Sequence, residues 1–265
     1  MIEIPFTKLH GAENDFLLTW STSPLISMDL PKVARRICNR NTGIGADGWM
    51  LVEREGGLRT RLFNSDGSEP EISGNGTRCA AAFALMEGAA DPPEVLIATA
   101  AGTKRLRLIT HQEKHYLFEM DMGQPEIKEL RATLQLAGEC FDASILNVGN
   151  PQCAIFVDRF PANWLAAARE AEQHVRFPHR TNVSFVRSLN RHTLKVLFFE
   201  RGAGETRSSG TGSTGAAAAA ILRNVADSPV EIKAPAGSLY IRWEESLFLT
   251  GPAEIIGEGR FFLEL

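Results

Sequence analysis

Two serines stand at matching places in this chain. Residues 73–82 read SGNGTRCAAA and residues 209–218 read SGTGSTGAAA. Ser73 and Ser209 each open a Ser-Gly-x-Gly turn that runs into a stretch of very small residues. A serine just ahead of a helix caps it, because its hydroxyl accepts a backbone N–H of the first turn. The N–H groups left free there, together with the helix dipole, attract an anion. Glycine lets a ligand come close to the backbone. Capping alone accounts for one such serine. A repeated pair with polar neighbours describes a cradle for the carboxylate of a small acid. The neighbours are Asn64, Asp66 and Asn75 at the first site, and Glu200, Arg201 and Glu205 at the second. The planar fork of Arg201 suits either a carboxylate ligand or a surface ion pair. No Gly-Lys-Ser or Gly-Lys-Thr follows the glycines, so a nucleotide P-loop does not fit. GIGADG at residues 43–48 is not a dinucleotide fingerprint.

The elements that position these turns are mostly short strands. Residues 2–8, 15–20, 49–52 and 60–63 carry the β-branched and aromatic content of strands. Residues 30–39 predict a helix, with Asp29 as its cap and Pro31 in its first turn. A turn at residues 64–68 leads to a helix over 76–87, and strands follow at 95–99, 105–109 and 116–120. The second half runs in a similar order. It has strands at 145–148 and 153–157, a helix at 164–173 and strands at 183–186 and 194–199. A glycine-rich turn at 202–212 precedes a helix over 213–223, and strands return at 230–233, 239–243 and 247–250. The rhyme of the two halves points to duplication of one α+β unit.

Composition narrows the class. The 265 residues are 44% hydrophobic and 23% charged, as in a globular protein, and the net charge is −4. That balance argues against a nucleic-acid partner or a basic membrane face. No apolar run approaches the roughly 20 residues needed to span a bilayer. The opening MIEIPFTKLHG is strand-like and not a secretory leader. Cys38, Cys79, Cys140 and Cys153 lack CxxC spacing, so neither a disulfide framework nor a zinc site is expected. The setting expected is the reducing cytoplasm.

FTKLHGAENDF, NRNTGIGADG, FNSDGSEPEISGNGTRCAAA, GNPQC and FERGAGETRSSGTGSTGAA occur in that order, followed by TGPAEII. In sequence and spacing they resemble the successive signatures of the diaminopimelate epimerase family, over essentially the whole chain. The resemblance implies an α+β fold of two pseudo-symmetric lobes, each a curved, mostly antiparallel sheet wrapped around a central helix. The lobes would be residues 1–122 and 123–254, with about 255–265 returning to the first. It further implies an isomerase that interconverts LL- and meso-diaminopimelate, in lysine and peptidoglycan-precursor synthesis. The reaction removes and returns an α-proton without pyridoxal phosphate, other cofactor or metal. The partner is a small amino acid, and a homodimer is compatible with the family. By position, Asn14, Asn64, Asn150 and Asn182 would contact the polar ends of the substrate. Glu200 and Arg201 would hold its distal group. Gly74, Asn75, Gly210 and Thr211 would hold the α-carboxylate.

Ser73 and Ser209 occupy the positions where the family carries two catalytic cysteines, one for each face of the α-carbon. A hydroxyl is not ionised at neutral pH and needs an adjacent base. Glu13, Glu200 and Glu205 are the carboxylates available for that task. Three readings stand at this stage: serines engineered to trap a substrate, a natural branch using another base or substrate, and a binder without catalysis. The flank RSSGTGS departs from the family's ACGTGA by more than the cysteine, which favours a natural branch. Gln152 replaces the histidine of GNPHC, Glu13 replaces a glycine, and Gly48 stands where some members place a glutamine.

Overall fold

The computed structural model describes residues 1–264 and divides the chain into two units, residues 1–120 with 251–265 and residues 121–250. The sequence reading placed its boundaries at 122/123 and near 254/255; residue 265 lies outside the described residues.

The first unit holds β1 (Ile2–Gly11), β2 (Asn14–Trp20), α1 (Ser23–Ile26), α2 (Leu30–Ile37), β3 (Gly48–Glu53), β4 (Arg59–Asn64), α3 (Gly74–Met86), β5 (Glu94–Thr99), β6 (Gly102–Gln112) and β7 (His115–Gly123). The second holds β8 (Glu126–Leu136), β9 (Glu139–Asn147), β10 (Pro151–Phe156), α4 (Trp164–Glu172), β11 (Asn182–Asn190), β12 (Thr193–Glu200), β13 (Gly204–Thr206), α5 (Gly210–Leu222), β14 (Val230–Ala234) and β15 (Gly237–Trp243). The last strand, β16 (Leu247–Leu263), starts in the second unit and finishes in the first.

In the first unit the strands follow one another from β1 to β7, β7 bonds β16, and β16 returns to β1, so the order closes on itself. Most pairs are antiparallel; β2–β3 and β4–β5 are parallel. The second unit has the order β15-β14-β12-β11-β10-β9-β8, with β10–β11 and β12–β14 parallel. Each unit therefore repeats the same run: an antiparallel pair, a parallel crossover through a helix, a second crossover through the alanine-rich helix, and a hairpin.

The alanines explain where the two central helices sit. From Gly74 to Ala84 and from Gly210 to Ala220 every residue is buried. A helix buried all round must be slim to pack inside a sheet. α3 packs against β1 to β5, and α5 against β9 to β12, β14 and β15. α2 is different. It buries only Leu30, Val33, Ala34 and Ile37, one stripe at helical spacing, against Trp49, Leu51 and Phe63.

Both central helices begin earlier than their predicted starts at 76 and 213, because the capped glycines already form the first turn. Three elements were not predicted: the short helix α1, the strand β8, which alternates buried and exposed residues in its second half, and β13 inside the glycine-rich turn. The predicted strand at 247–250 continues as β16 to Leu263. Among the described residues no helix is long and apolar enough to cross a membrane.

Candidate active site

In the first unit Ser73 arrives in an extended conformation, and its Oγ accepts the Gly76 N–H at 3.1 Å. A Cβ on Gly76 would stand 2.8 Å from Met50 Cε and 3.3 Å from Ser73 Cβ, so the tip of Met50 would have to move. Thr77 donates its hydroxyl to the Ser73 carbonyl at 2.7 Å, tightening the same turn. Gly74 and Asn75 follow the cap, both buried.

Asn75 belongs to a chain of bonds with a fixed direction. Arg78 donates from Nη2 to Asn75 Oδ1 at 2.7 Å, Asn75 donates to Asn14 Oδ1 at 3.3 Å, and Asn14 donates to Asp47 Oδ2 at 2.7 Å. A guanidinium only donates and an ionised carboxylate only accepts, so the two ends fix how both amides are turned. Arg78 is fully buried, bonded also to the carbonyls of Gly74 and Pro252. Burial lowers its pKa to about 10, which leaves it a cation at neutral pH.

Asp47 is placed by the loop that reads GIGADG. Its backbone N–H groups from Gly43 to Ala46 bond back to the carbonyls at the end of α2. A Cβ on Gly43 would lie 2.2 Å from the Arg36 carbonyl, and Gly45 has φ +79°, so glycine is required at both. Asp47 then meets Arg40 at 2.8 Å, and Asp15 meets Arg40 at 2.7 Å and Lys8 at 3.0 Å. Burial raises the Asp15 carboxyl, but the hydrogen bonds and charges of Arg40 and Lys8 outweigh it and leave the group below its ordinary value. Asp47 lies above its ordinary value, through burial and then the charge of Asp15.

In the second unit Ser209 is almost fully buried and caps α5, its Oγ accepting the Gly212 N–H at 3.0 Å. The same hydroxyl donates to Glu200 Oε1 at 2.7 Å. Gly210 and Thr211 follow in the first turn. Asn150 donates from Nδ2 to Thr211 Oγ1 at 3.3 Å and accepts from Gln152 Nε2 at 2.6 Å. Asn182 accepts the Arg201 backbone N–H at 3.0 Å and donates to the Pro151 carbonyl at 2.9 Å. The Arg201 guanidinium bonds the His179 carbonyl at 3.2 Å.

The repeat thus extends to single residues. Asn14 bonds Asn75 and Asn150 bonds Thr211, each pair 61 positions apart. The polarity is reversed: the asparagine accepts from the helix in the first unit and donates to it in the second. Asn64 and Glu200 end equivalent strands, β4 and β12. Their partners differ. Glu200 takes the Ser209 hydroxyl, whereas Asn64 donates its amide to Ser68 Oγ at 3.0 Å.

Comparison with known proteins identifies this duplicated arrangement. The sequence profile described as Diaminopimelate epimerase matches residues 6–128 and 144–256. The chain belongs to the diaminopimelate epimerase family. It is 38% identical to the diaminopimelate epimerase of Moorella thermoacetica, over 98% of this chain and 99% of that one. It is 35% identical to that of Nostoc punctiforme, over 97% and 99%. A solved hydroxyproline epimerase from Agrobacterium vitis, with bound trans-4-hydroxy-L-proline, superposes with a TM-score of 0.78 at 15% identity, covering 97% of this chain and 92% of that one; it shares the fold. The two-lobed α+β class implied by the motifs is therefore the fold of the chain.

None of the four cysteines lies at either cap. Cys79 is buried inside α3, Cys153 in β10 and Cys38 after α2, and burial pushes each thiol up to about 12. Cys140 is exposed on β9, bonded to Gln135. Gly48 is confined: a Cβ there would lie 3.0 Å from Leu62 and 3.1 Å from the Phe63 carbonyl. Glu13 adopts φ +61° and donates its backbone N–H to His10 Nδ1 at 3.3 Å. Sequence reasoning missed Asp47, Asp15, Arg40 and Arg78. Arg78 was findable from its three- and four-residue spacing to Asn75 and Gly74 on one helix. Among the described residues no group of three His, Cys, Asp or Glu side chains comes together to hold a metal ion.

Proposed function

We propose that this chain is a diaminopimelate epimerase-type isomerase that inverts the α-carbon between LL- and meso-diaminopimelate by cofactor-independent proton abstraction and return. Its setting is lysine and peptidoglycan-precursor synthesis in the cytoplasm. The observation that carries the reading is the pair of serine-capped helix termini, one with a carboxylate on its hydroxyl. Each unit offers a helix N-terminus, Gly74 and Asn75 at α3 and Gly210 and Thr211 at α5, whose dipole favours the negative charge of a carboxylate. Asn14, Asn64, Asn150 and Asn182 bond the polar ends, and Arg201 pairs with the distal carboxylate.

Ser209 and Glu200 replace one thiol. As the α-proton moves to Ser209 Oγ, the hydroxyl proton of Ser209 moves to Glu200 Oε1, 2.7 Å away. The electron pair of the C–H bond stays on the α-carbon, next to the bound carboxylate. Ser73 delivers a proton to the opposite face and is recharged from solvent; Glu200 returns its proton to solvent. The reverse direction retraces these steps.

The test is to incubate the purified chain with LL- and with meso-diaminopimelate in deuterated water and follow the α-position by NMR. Inversion with one deuteron incorporated is expected from either isomer. Binding without exchange would show an inactive binder, and absence of both binding and exchange would remove diaminopimelate as the substrate.

A further inference from the structure

The two serines differ in their access to water within their own units, and the sheets explain the difference. β4 and β5 are paired only at Arg59 and Ala98, so the sheet is split along the rest of β4. In the second unit the matching edge of β12 is covered: β13 pairs with Phe198, Phe199 and Glu200. Among the described residues the first unit has no strand in that place. The segment after Asn64 instead leaves a cleft of about 380 Å³, lined by Ser73, Thr77, Ala98 and Thr99 and by the charged side chains of Glu53, Arg59, Arg61, Glu69 and Glu71, none of which bonds the Ser73 hydroxyl among the described residues. Ser73 is half-buried, whereas Ser209 is 1% exposed. The hydroxyl proton of Ser209 is held by Glu200. Among the described residues the Ser73 hydroxyl accepts the Gly76 N–H and donates to no side chain or carbonyl.

We propose that this cleft is the solvent port of Ser73, through which the serine exchanges the proton it gives to and takes from the substrate. This rests on the epimerase reading above. An alkoxide at Ser73 is unstable at neutral pH, so a proton must reach it as fast as one leaves. The second unit meets the same need with the Glu200 carboxylate, and the first meets it with water. The split between β4 and β5 is then a functional gap that β13 closes in the other half of the duplication.

The test separates the port from the reaction. In a Cys140→Ser background, Ser73→Cys and Ser209→Cys variants are alkylated with iodoacetamide, with and without a plug in the cleft. The plug is Ala98→Trp, with Thr99→Phe as a second version, each checked for an unchanged melting temperature. Plugging is expected to slow labelling of the Ser73→Cys thiol by about tenfold or more and to leave the Ser209→Cys thiol unaffected, since exposure governs thiol reactivity. Unchanged labelling of the Ser73→Cys thiol under both plugs overturns the port. α-Proton exchange in deuterated water is then measured for the plugged chain with both serines intact. Slowed exchange completes the case, and normal exchange in the plugged chain overturns the port while leaving the epimerase standing. If the unplugged chain shows no exchange, the epimerase reading fails, and with it the catalytic role of the port.

Discussion

Ser209 donates its hydroxyl to Glu200 at 2.7 Å, and Glu200 ends β12 as Asn64 ends β4. The duplicated unit has a carboxylate at this place in one copy and a carboxamide in the other. A carboxamide cannot take a proton from a serine; a carboxylate can. In the proposed reaction this pair gives the two halves of the duplication different proton chemistry, with Glu200 as the base that the Ser209 hydroxyl needs.

Restoring the thiols tests whether the rest of the site is intact. A cysteine with its ordinary pKa near 8.5 is a few per cent thiolate at neutral pH, and a helix N-terminus lowers that pKa. The double substitution Ser73→Cys and Ser209→Cys is expected to raise the epimerisation rate by about tenfold or more. A coupled assay for meso-diaminopimelate measures it. No activity from the double variant would mean that the flanking residues no longer hold the substrate.

The caps depend on glycine. A Cβ on Gly212 would meet Phe198 at 2.8 Å and Ser209 Oγ at 2.9 Å. Gly212→Ala is expected to lower stability by about 1–3 kcal/mol through overpacking and to displace the serine from Glu200. Gly257→Ala in β16, where nothing lies within 4 Å, serves as the control. It is expected to change stability by less than about 0.5 kcal/mol. Denaturant titration of both variants makes the comparison.

The bond chain from Arg78 to Asp47 orients Asn14 and Asn75. Asp47→Ala leaves a donor of Asn14 unpaired and is expected to cost about 1–3 kcal/mol. The exchange of Asn14→Asp with Asp47→Asn keeps the bond between the two side chains, the bond from Asn75 and the net charge, but loses the acceptor of the Asp15 N–H. It is expected to recover part of the stability but not activity, because it puts negative charge at the position proposed to face the substrate. Recovery of both would show that Asn14 does not face the substrate.

Acid stability has a direction as well. The folded-state pKa of Asp15 lies below its ordinary value because Arg40 and Lys8 outweigh burial. Its contribution is present above the ordinary carboxylate value and is lost as pH falls through the lower folded one. Asp47, raised by burial and Asp15, has the opposite sign and favours the folded chain when protonated. Asp15→Asn is expected to flatten the acid limb of a melting-temperature profile, and Asp47→Asn to relieve a penalty at neutral pH while loosening Asn14. A profile for Asp15→Asn that still falls as steeply as that of the parent would contradict the assignment.

Much of this was legible in the residues. The two Ser-Gly-x-Gly turns, the alanine helices and the duplication follow from local chemistry: caps, small side chains and buried spacing. β8 was not legible, because a charged strand with one solvated face carries little hydrophobic signal, nor was β13, because glycine masks a short strand. Long-range pairs such as Asn14 with Asp47 and Ser209 with Glu200 arise only when strands bring them together. The buried Arg78 reads as a surface helix residue until the sheet is seen to enclose α3.

The most direct measurement of the central claim is the α-deuterium exchange rate of Glu200→Gln against the parent, with diaminopimelate binding measured in parallel by calorimetry. Glutamine keeps the shape and a hydrogen bond to Ser209 but cannot accept its proton. The account expects exchange to fall by about 100-fold or more with binding affected far less. Parent-like exchange in Glu200→Gln would contradict it and place the working base elsewhere.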